Sequence, residues 1–259
     1  MSTALKAWGM GILFCLLSAC LPVSAPPPPL PSDTALPPTS APTPTIVWFP
    51  PTPTNTALPT PSITLTPTLD TRPKFGRLIF SDDFSRLDQW SIGKVPAGRI
   101  AQGKNELTLA VTQPKGYLYS LRQGTKLDDF YVELTASPSI CRGADEYGLL
   151  VRVSPNIEFF RFALTCNGKA RLDRFLNMQA SSPQPARPNA AVPPGAPSSS
   201  RLAVWAVGNE LRFFVNGVFL FAARDPGLLS GTIGVFVRAG SQEPVTVNFS
   251  DLKVYEGLP

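Results

Sequence analysis

The chain has 259 residues, 23 Lys+Arg against 18 Asp+Glu for a formal net charge of +5, 43% hydrophobic residues and no histidine. The missing imidazole excludes Ser-His-Asp and Cys-His catalysis and the ordinary proton shuttle at neutral pH. The charge is scattered, without the lysine-rich run or interleaved aromatics of a nucleic-acid binder, so no nucleic-acid partner is expected.

Lys6 is followed by an apolar run from Ala7 to Leu17, then by Ser18, Ala19 and Cys20. A basic residue, an apolar stretch and small residues before a cysteine are the three regions of an export signal. A spanning anchor would need about 20 apolar residues, and this run is shorter and ends at Pro22, where a helix cannot continue. A plain secretory signal would tolerate Cys20 without requiring it. Leu17-Ser18-Ala19-Cys20 resembles the lipobox of bacterial lipoproteins. The resemblance implies a signal peptide over 1–19, acylation of Cys20, and a lipid anchor on the extracytoplasmic face of a cell membrane. Each buried methylene contributes about 0.8 kcal/mol, and stable anchoring takes more than one chain.

More than half of the 30 prolines precede Lys74. From Cys20 to Pro73 the chain is Pro, Thr, Ser and Ala with almost no charge, a composition that cannot bury enough apolar surface to offset its ordering entropy. Residues 20–73 read as a disordered, semi-rigid stalk. At about 3.1 Å per residue in polyproline II it would span on the order of 100 Å or more. Ile46-Val47-Trp48-Phe49 is the one apolar interruption.

Residues 74–259 are enough for one core. Short alternating runs between turn signals, with no helical period, read as an all-β domain. Glu106 to Val111 alternates, Phe130 to Leu134 is β-branched and aromatic, and Val245, Val247 and Phe249 face one way. Asn167-Gly168 and Asn216-Gly217 each stand between apolar strands, as type I′ hairpins require, and Gly208-Asn209 joins two more. About a dozen strands are too many for one open sheet, so two packed antiparallel sheets are expected. Residues 179–200, rich in Pro, Ala and Ser, read as a low-complexity mobile loop.

Several segments occur in the order seen in concanavalin A-like lectin/glucanase domains. They are Phe80-Ser81-Asp82-Asp83-Phe84 with Trp90, Asp145 to Arg152, Phe159 to Phe162 with Arg171 to Arg174, Asn209 to Gly217, Gly231 to Phe236, and Val247 to Tyr255. The domain is similar to the laminin-G-like and 3-keto-disaccharide-hydrolase-like members on bacterial surface proteins. The resemblance implies a two-sheet jelly-roll sandwich with its first and last strands paired, and a glycan or cell-wall polysaccharide as partner. It also holds open a carbohydrate-active enzyme and a structural or protein-binding module.

Cys15 lies in the signal and Cys20 is the lipid site, which leaves Cys141 and Cys166 to form a disulfide in an oxidising compartment. A metal site is disfavoured, since two cysteines without histidine fall short of four ligands. Any acid-base catalysis would fall to carboxylates. Asp128-Asp129 with Glu133, and Asp145-Glu146 with Glu158, do not reproduce the Glu-x-Asp-x-(x)-Glu glucanase pattern, and adjacent carboxylates point to opposite faces of a strand. A catalytic assignment is therefore withheld.

A hairpin around Ser154-Pro155-Asn156-Ile157 puts Leu149, Val151, Val153, Phe160, Phe162 and Leu164 on a core face. The opposite face then carries Glu146, Leu150, Arg152, Phe159, Arg161 and Thr165. Of these, Glu146, Arg152, Phe159, Arg161 and Thr165 are the candidate ligand-binding residues, because guanidinium forks and aromatic faces hold sugar hydroxyls and carboxylates. A solvated face with cross-strand ion pairs is the equal alternative. Asp173 or Arg174 would neighbour Arg161. Structural calcium at Asp82, Asp83 and Asp251, which several families of this fold would suggest, competes with ordinary turn formation, and turns are preferred. No cofactor is expected.

Overall fold

The computed structural model describes residues 73–259 apart from 87, 178 and 243. The segments read as a signal peptide, a lipid site at Cys20 and a stalk lie outside the described residues. No α-helix occurs among these residues, and the strands in chain order are β1 (Phe75–Asp82), β2 (Gly93–Val95), β3 (Gly98–Gln102), β4 (Leu107–Val111), β5 (Tyr117–Leu121), β6 (Phe130–Ile140), β7 (Glu146–Val153), β8 (Phe159–Thr165), β9 (Lys169–Leu176), β10 (Gln179–Pro188), β11 (Ser200–Val207), β12 (Glu210–Val215), β13 (Val218–Arg224), β14 (Thr232–Arg238) and β15 (Val245–Gly257). They form two antiparallel sheets. The larger has nine strands in the order β13-β12-β11-β6-β15-β4-β3-β2, with β1 also paired to β15. The smaller has six, in the order β10-β9-β8-β7-β14-β5.

Alternation builds the core. Leu107, Leu109 and Val111 of β4, Val245, Val247 and Phe249 of β15, and Phe213 of β12 point inward from the larger sheet. Tyr147, Leu149, Phe160, Phe162, Leu164 and Val235 point inward from the smaller one, all in one buried cluster. Each such side chain contributes about 1.5–3 kcal/mol on burial. The result is the expected jelly-roll sandwich, with β1 and β15 paired from Phe75↔Gly257 to Asp82↔Leu252. Residues 73–259 fall within one compact unit, and among the described residues the buried core is drawn entirely from that unit, so it can fold by itself.

Two of the three expected turns are two-residue hairpins: Asn216-Gly217, with φ of 51° and 79°, and Gly208-Asn209. The third differs. Thr165 pairs with Lys169, so the β8–β9 loop has three residues with Gly168 alone in the left-handed region, at φ 78°. A three-residue loop needs positive φ only at its last position.

The stretch 179–200 corrects the expectation of a mobile loop. Its first half is β10, an edge strand on β9, and Pro183 and Pro185 fall at the two register shifts in that pairing. An edge strand has one unpaired side, so prolines that would break a central strand are tolerated there. The second half is held down: Val192 is buried, Gly195 N donates to Cys166 O, and Asn189 N donates to Gly168 O. Cys141 and Cys166 form a disulfide with Cα atoms 5.8 Å apart, joining the end of β6 to the β8–β9 loop.

Candidate ligand-binding face

The side of the six-stranded sheet turned away from the core collects residues from five strands. β5 supplies Tyr117, Tyr119 and Leu121; β14 supplies Phe236 and Arg238; β7 supplies Glu146 and Leu150; β8 supplies Phe159 and Arg161; β9 supplies Arg171, Asp173 and Phe175. Cross-strand register places Arg238 opposite Glu146 and Arg161 opposite Asp173, the latter deciding between Asp173 and Arg174.

These charges are tied together. Arg161 donates to Asp173 Oδ2 from Nη2 at 2.6 Å and from Nε at 3.0 Å. Arg171 donates to Asp173 Oδ1 from Nε at 3.1 Å and to Glu146 Oε1 at 3.2 Å. Arg238 donates to Glu146 Oε2 at 3.2 Å, and Ser182 of β10 donates to Asp173 Oδ1 at 2.5 Å. Three guanidinium groups thus face two carboxylates, leaving the row cationic. Arg161 is also enclosed by rings, its Cζ lying 5.0 Å from the Phe175 centroid, 5.5 Å from Phe236 and 6.0 Å from Tyr117. Phe175 stacks on Phe159 at 4.5 Å.

Burial by itself would raise the Asp173 carboxyl. The hydrogen bonds from Ser182, Arg161 and Arg171 outweigh it and hold that group below its usual range. Burial likewise works to lower Arg171, and its bonds to Asp173 win, so its guanidinium is raised. Burial pushes the Tyr117 phenol up against the opposing charge of Arg161. Both directions favour the charged forms of Asp173 and Arg171 at neutral pH. A glycosidase acid must instead be held protonated by a raised pKa, which the surroundings of Asp173 oppose.

At the β5 end the row opens into a cavity of about 670 Å³. Its walls include Tyr119, Leu121, Leu150, Val153, Ile157 and Phe159, with Lys126 at the edge. Tyr119 is 46% exposed there.

Of the five ligand-binding candidates, Glu146, Phe159, Arg161 and Thr165 lie on this face, Thr165 opposite Glu146, with Glu146 and Arg161 engaged in the charge network. Arg152 does not lie there, which is a correction. A bulge between Leu150↔Gly234 and Val153↔Thr232 puts an extra residue into β7, and Arg152 occupies it with φ 53°. An inserted residue inverts the alternation beyond it, so Val153, expected in the core, joins the outer face, and Arg152 turns inward to full burial. There it donates from Nη1 to Leu228 O at 2.9 Å and from Nη2 to Asp128 O at 3.3 Å, pinning two loops that rim the cavity. Gly231 is required opposite the bulge, because a Cβ there would lie 2.5 Å from the Arg152 carbonyl carbon.

At the end of β8 the Thr165 hydroxyl also serves the turn: it donates to Asn167 Oδ1 at 2.5 Å and accepts from Lys169 N at 3.1 Å. Several carboxylates elsewhere are engaged too. Asp82 accepts from Phe84 N and Trp90 Nε1, and Asp83 accepts from Ser85 N. Glu133 pairs with Arg201 on the larger sheet, and Asp129 accepts from Gly208 N. Among the described residues no three metal-ligating side chains converge. Tyr117, Tyr119, Arg171, Phe236 and Arg238 were missed. The alternation Tyr117-Leu118-Tyr119 and Arg171-Leu172-Asp173 shows each pair shares a face; only sheet order shows that the faces are the same one.

No protein-family model and no curated protein matches this sequence. Solved structures do match. A protein of unknown function with a galectin-like fold from Bacillus subtilis is 14% identical with a TM-score of 0.55, covering 71% of this chain and 97% of that one. The β-glucanase of Bacillus licheniformis is 13% identical with a TM-score of 0.53, covering 71% and 100%. The catalytic domain of an endo-1,3-β-glucanase (laminarinase) from Thermotoga petrophila is 10% identical with a TM-score of 0.53, covering 73% and 100%. At these identities the likeness is one of fold: residues 73–259 share the jelly roll of galectin-like proteins and glucanases.

Proposed function

We propose that the chain is a surface lipoprotein whose jelly-roll domain binds a glycan on the outer face of the six-stranded sheet. The observation that carries this reading is the row in which the partly exposed Arg171 and Arg238, positioned through the buried Arg161 network, lie beside the rings of Tyr119, Phe159 and Phe175. Ring faces suit the apolar faces of sugars and fixed guanidinium donors suit their hydroxyls and carboxylates. Solved structures of this fold that act on β-glucans support the reading at the level of architecture. The carboxylates on the row are engaged by arginines, which favours holding a saccharide over cleaving it. Cys20 and the stalk would hold this face away from the membrane.

The test is binding of residues 64–259 to an array of glycans and cell-wall polysaccharides, with product analysis of every hit. Tyr119 and Arg238 are 46% and 43% exposed and can be changed without opening the core. Saturable binding that Tyr119→Ala/Arg238→Ala abolishes is expected. Absence of any hit, or binding that the double variant keeps, refutes the site. Metabolic labelling with a fatty-acid analogue, present in the full chain and absent in Cys20→Ser, tests the anchor separately.

A further inference from the structure

The cavity at the β5 end differs in chemistry from the row it adjoins. At about 670 Å³ it is of small-ligand size. Its walls are largely aliphatic and aromatic, Lys126 is the single charge among the lining residues, and none of them is a carboxylate. Of the lining hydroxyls, those of Thr125, Ser154 and Thr232 are already bonded within the protein. Sugar hydroxyls pressed against Leu121, Leu150 and Val153 would lose water without finding partners. An alkyl or aryl body would not.

Ile157 is an independent sign. It is β-branched, has φ 60° and is 67% exposed. The left-handed region is unfavourable for such a residue, and burial does not repay it here. Strained conformations of this kind persist where function uses them. At the rim of the cavity, the Ile157 side chain would be covered by an apolar ligand. The rim is also preset, since Arg152 pins the carbonyls of Leu228 and Asp128 and Asp225 accepts from Gly227 N and Leu228 N.

We propose that this cavity binds an apolar group carrying one negative charge, a straight-chain alkyl carboxylate being the simplest member. The carboxylate sits at Lys126 and the chain lies along Leu121, Leu150, Val153 and Ile157. The cavity shares the rings of Tyr117, Tyr119 and Phe159 with the glycan face, whereas Lys126 and Ile157 belong to the cavity alone, and the variants that test it are taken from these.

The test is calorimetric titration of residues 64–259 with sodium hexanoate, octanoate and decanoate below their micelle concentrations. Octyl glucoside serves as the neutral counterpart and phosphatidylglycerol vesicles as a bilayer source of the same chemistry. Affinity is expected to rise about fourfold per methylene. Lys126→Gln should weaken octanoate by about fivefold and leave octyl glucoside unchanged. Ile157→Gly, checked for folding by circular dichroism, should weaken every alkyl ligand by about fivefold. No heat with decanoate, affinity independent of chain length, octanoate binding unchanged in Lys126→Gln, or binding to vesicles alone would each overturn the proposal. Glycan hits without alkanoate affinity overturn this site and leave the glycan reading standing; alkanoate affinity without glycan hits does the reverse.

Discussion

Asp173→Asn tests the electrostatic reasoning behind the binding face. The Asp173 side chain is 2% exposed and holds Arg161, itself 10% exposed. Removing its charge leaves the Arg161 guanidinium buried with Glu146 Oε2 at 4.0 Å as its other carboxylate. Breaking one side of a buried pair costs about 3–5 kcal/mol. The second partner, Arg171, is 24% exposed and partly screened, so the lower end applies, about 3 kcal/mol. For a domain of this size that is a Tm lower by about 6–12 °C.

The pH dependence carries a sign. Hydrogen bonds from Ser182, Arg161 and Arg171 overcome the upward effect of burial and depress the Asp173 carboxyl in the folded state. A depressed group contributes stability in full above its unfolded value, about 3.9, and loses that contribution as pH falls through the lower folded value. The difference between the wild type and Asp173→Asn should hold near 3 kcal/mol from pH 7 to about pH 5 and narrow below about pH 4. Urea denaturation of both proteins at pH 7, 5, 4 and 3 measures it. A difference under about 1 kcal/mol at pH 7, or one that does not narrow by pH 3, refutes the account.

Arg152→Ala should destabilise the domain by about 2 kcal/mol, because the carbonyl of Leu228 loses its donor in a buried setting and that of Asp128 in a part-buried one. It should also speed proteolysis within 225–231, seen by limited digestion; unchanged cleavage would count against the clamp. Reducing Cys141–Cys166, or replacing both by Ala, should cost about 3.5 kcal/mol in the chain-entropy model for a separation of 25 residues, read from urea midpoints with and without dithiothreitol. Ile157→Gly should raise stability by about 1 kcal/mol by relieving the left-handed backbone. A loss of stability there would show that Ile157 is held by packing, against the reading of it as an exposed rim.

Much of the architecture is set by local chemistry and was therefore legible in sequence. Period-two alternation in Leu107 to Val111 and in Val245 to Phe249 assigns those strands and their buried faces, because a residue's side of a pleat depends only on its place along the strand. Asn216-Gly217 marks a hairpin because positive φ is a property of those two residues. Cys141 and Cys166 were left as a pair by elimination. The tertiary structure alone decided the rest. The bulge at Arg152 moved one expected ligand residue into the interior and brought Val153 out, since one inserted residue reverses every side chain after it. Pro183 and Pro185 read as loop until β10 is seen to be an edge strand, where the missing donors face outward. The guanidinium row joins Arg161, Arg171 and Arg238 only because the sheet runs β9-β8-β7-β14. Strand order of that kind comes from packing two sheets around one core, which no stretch of the chain encodes by itself.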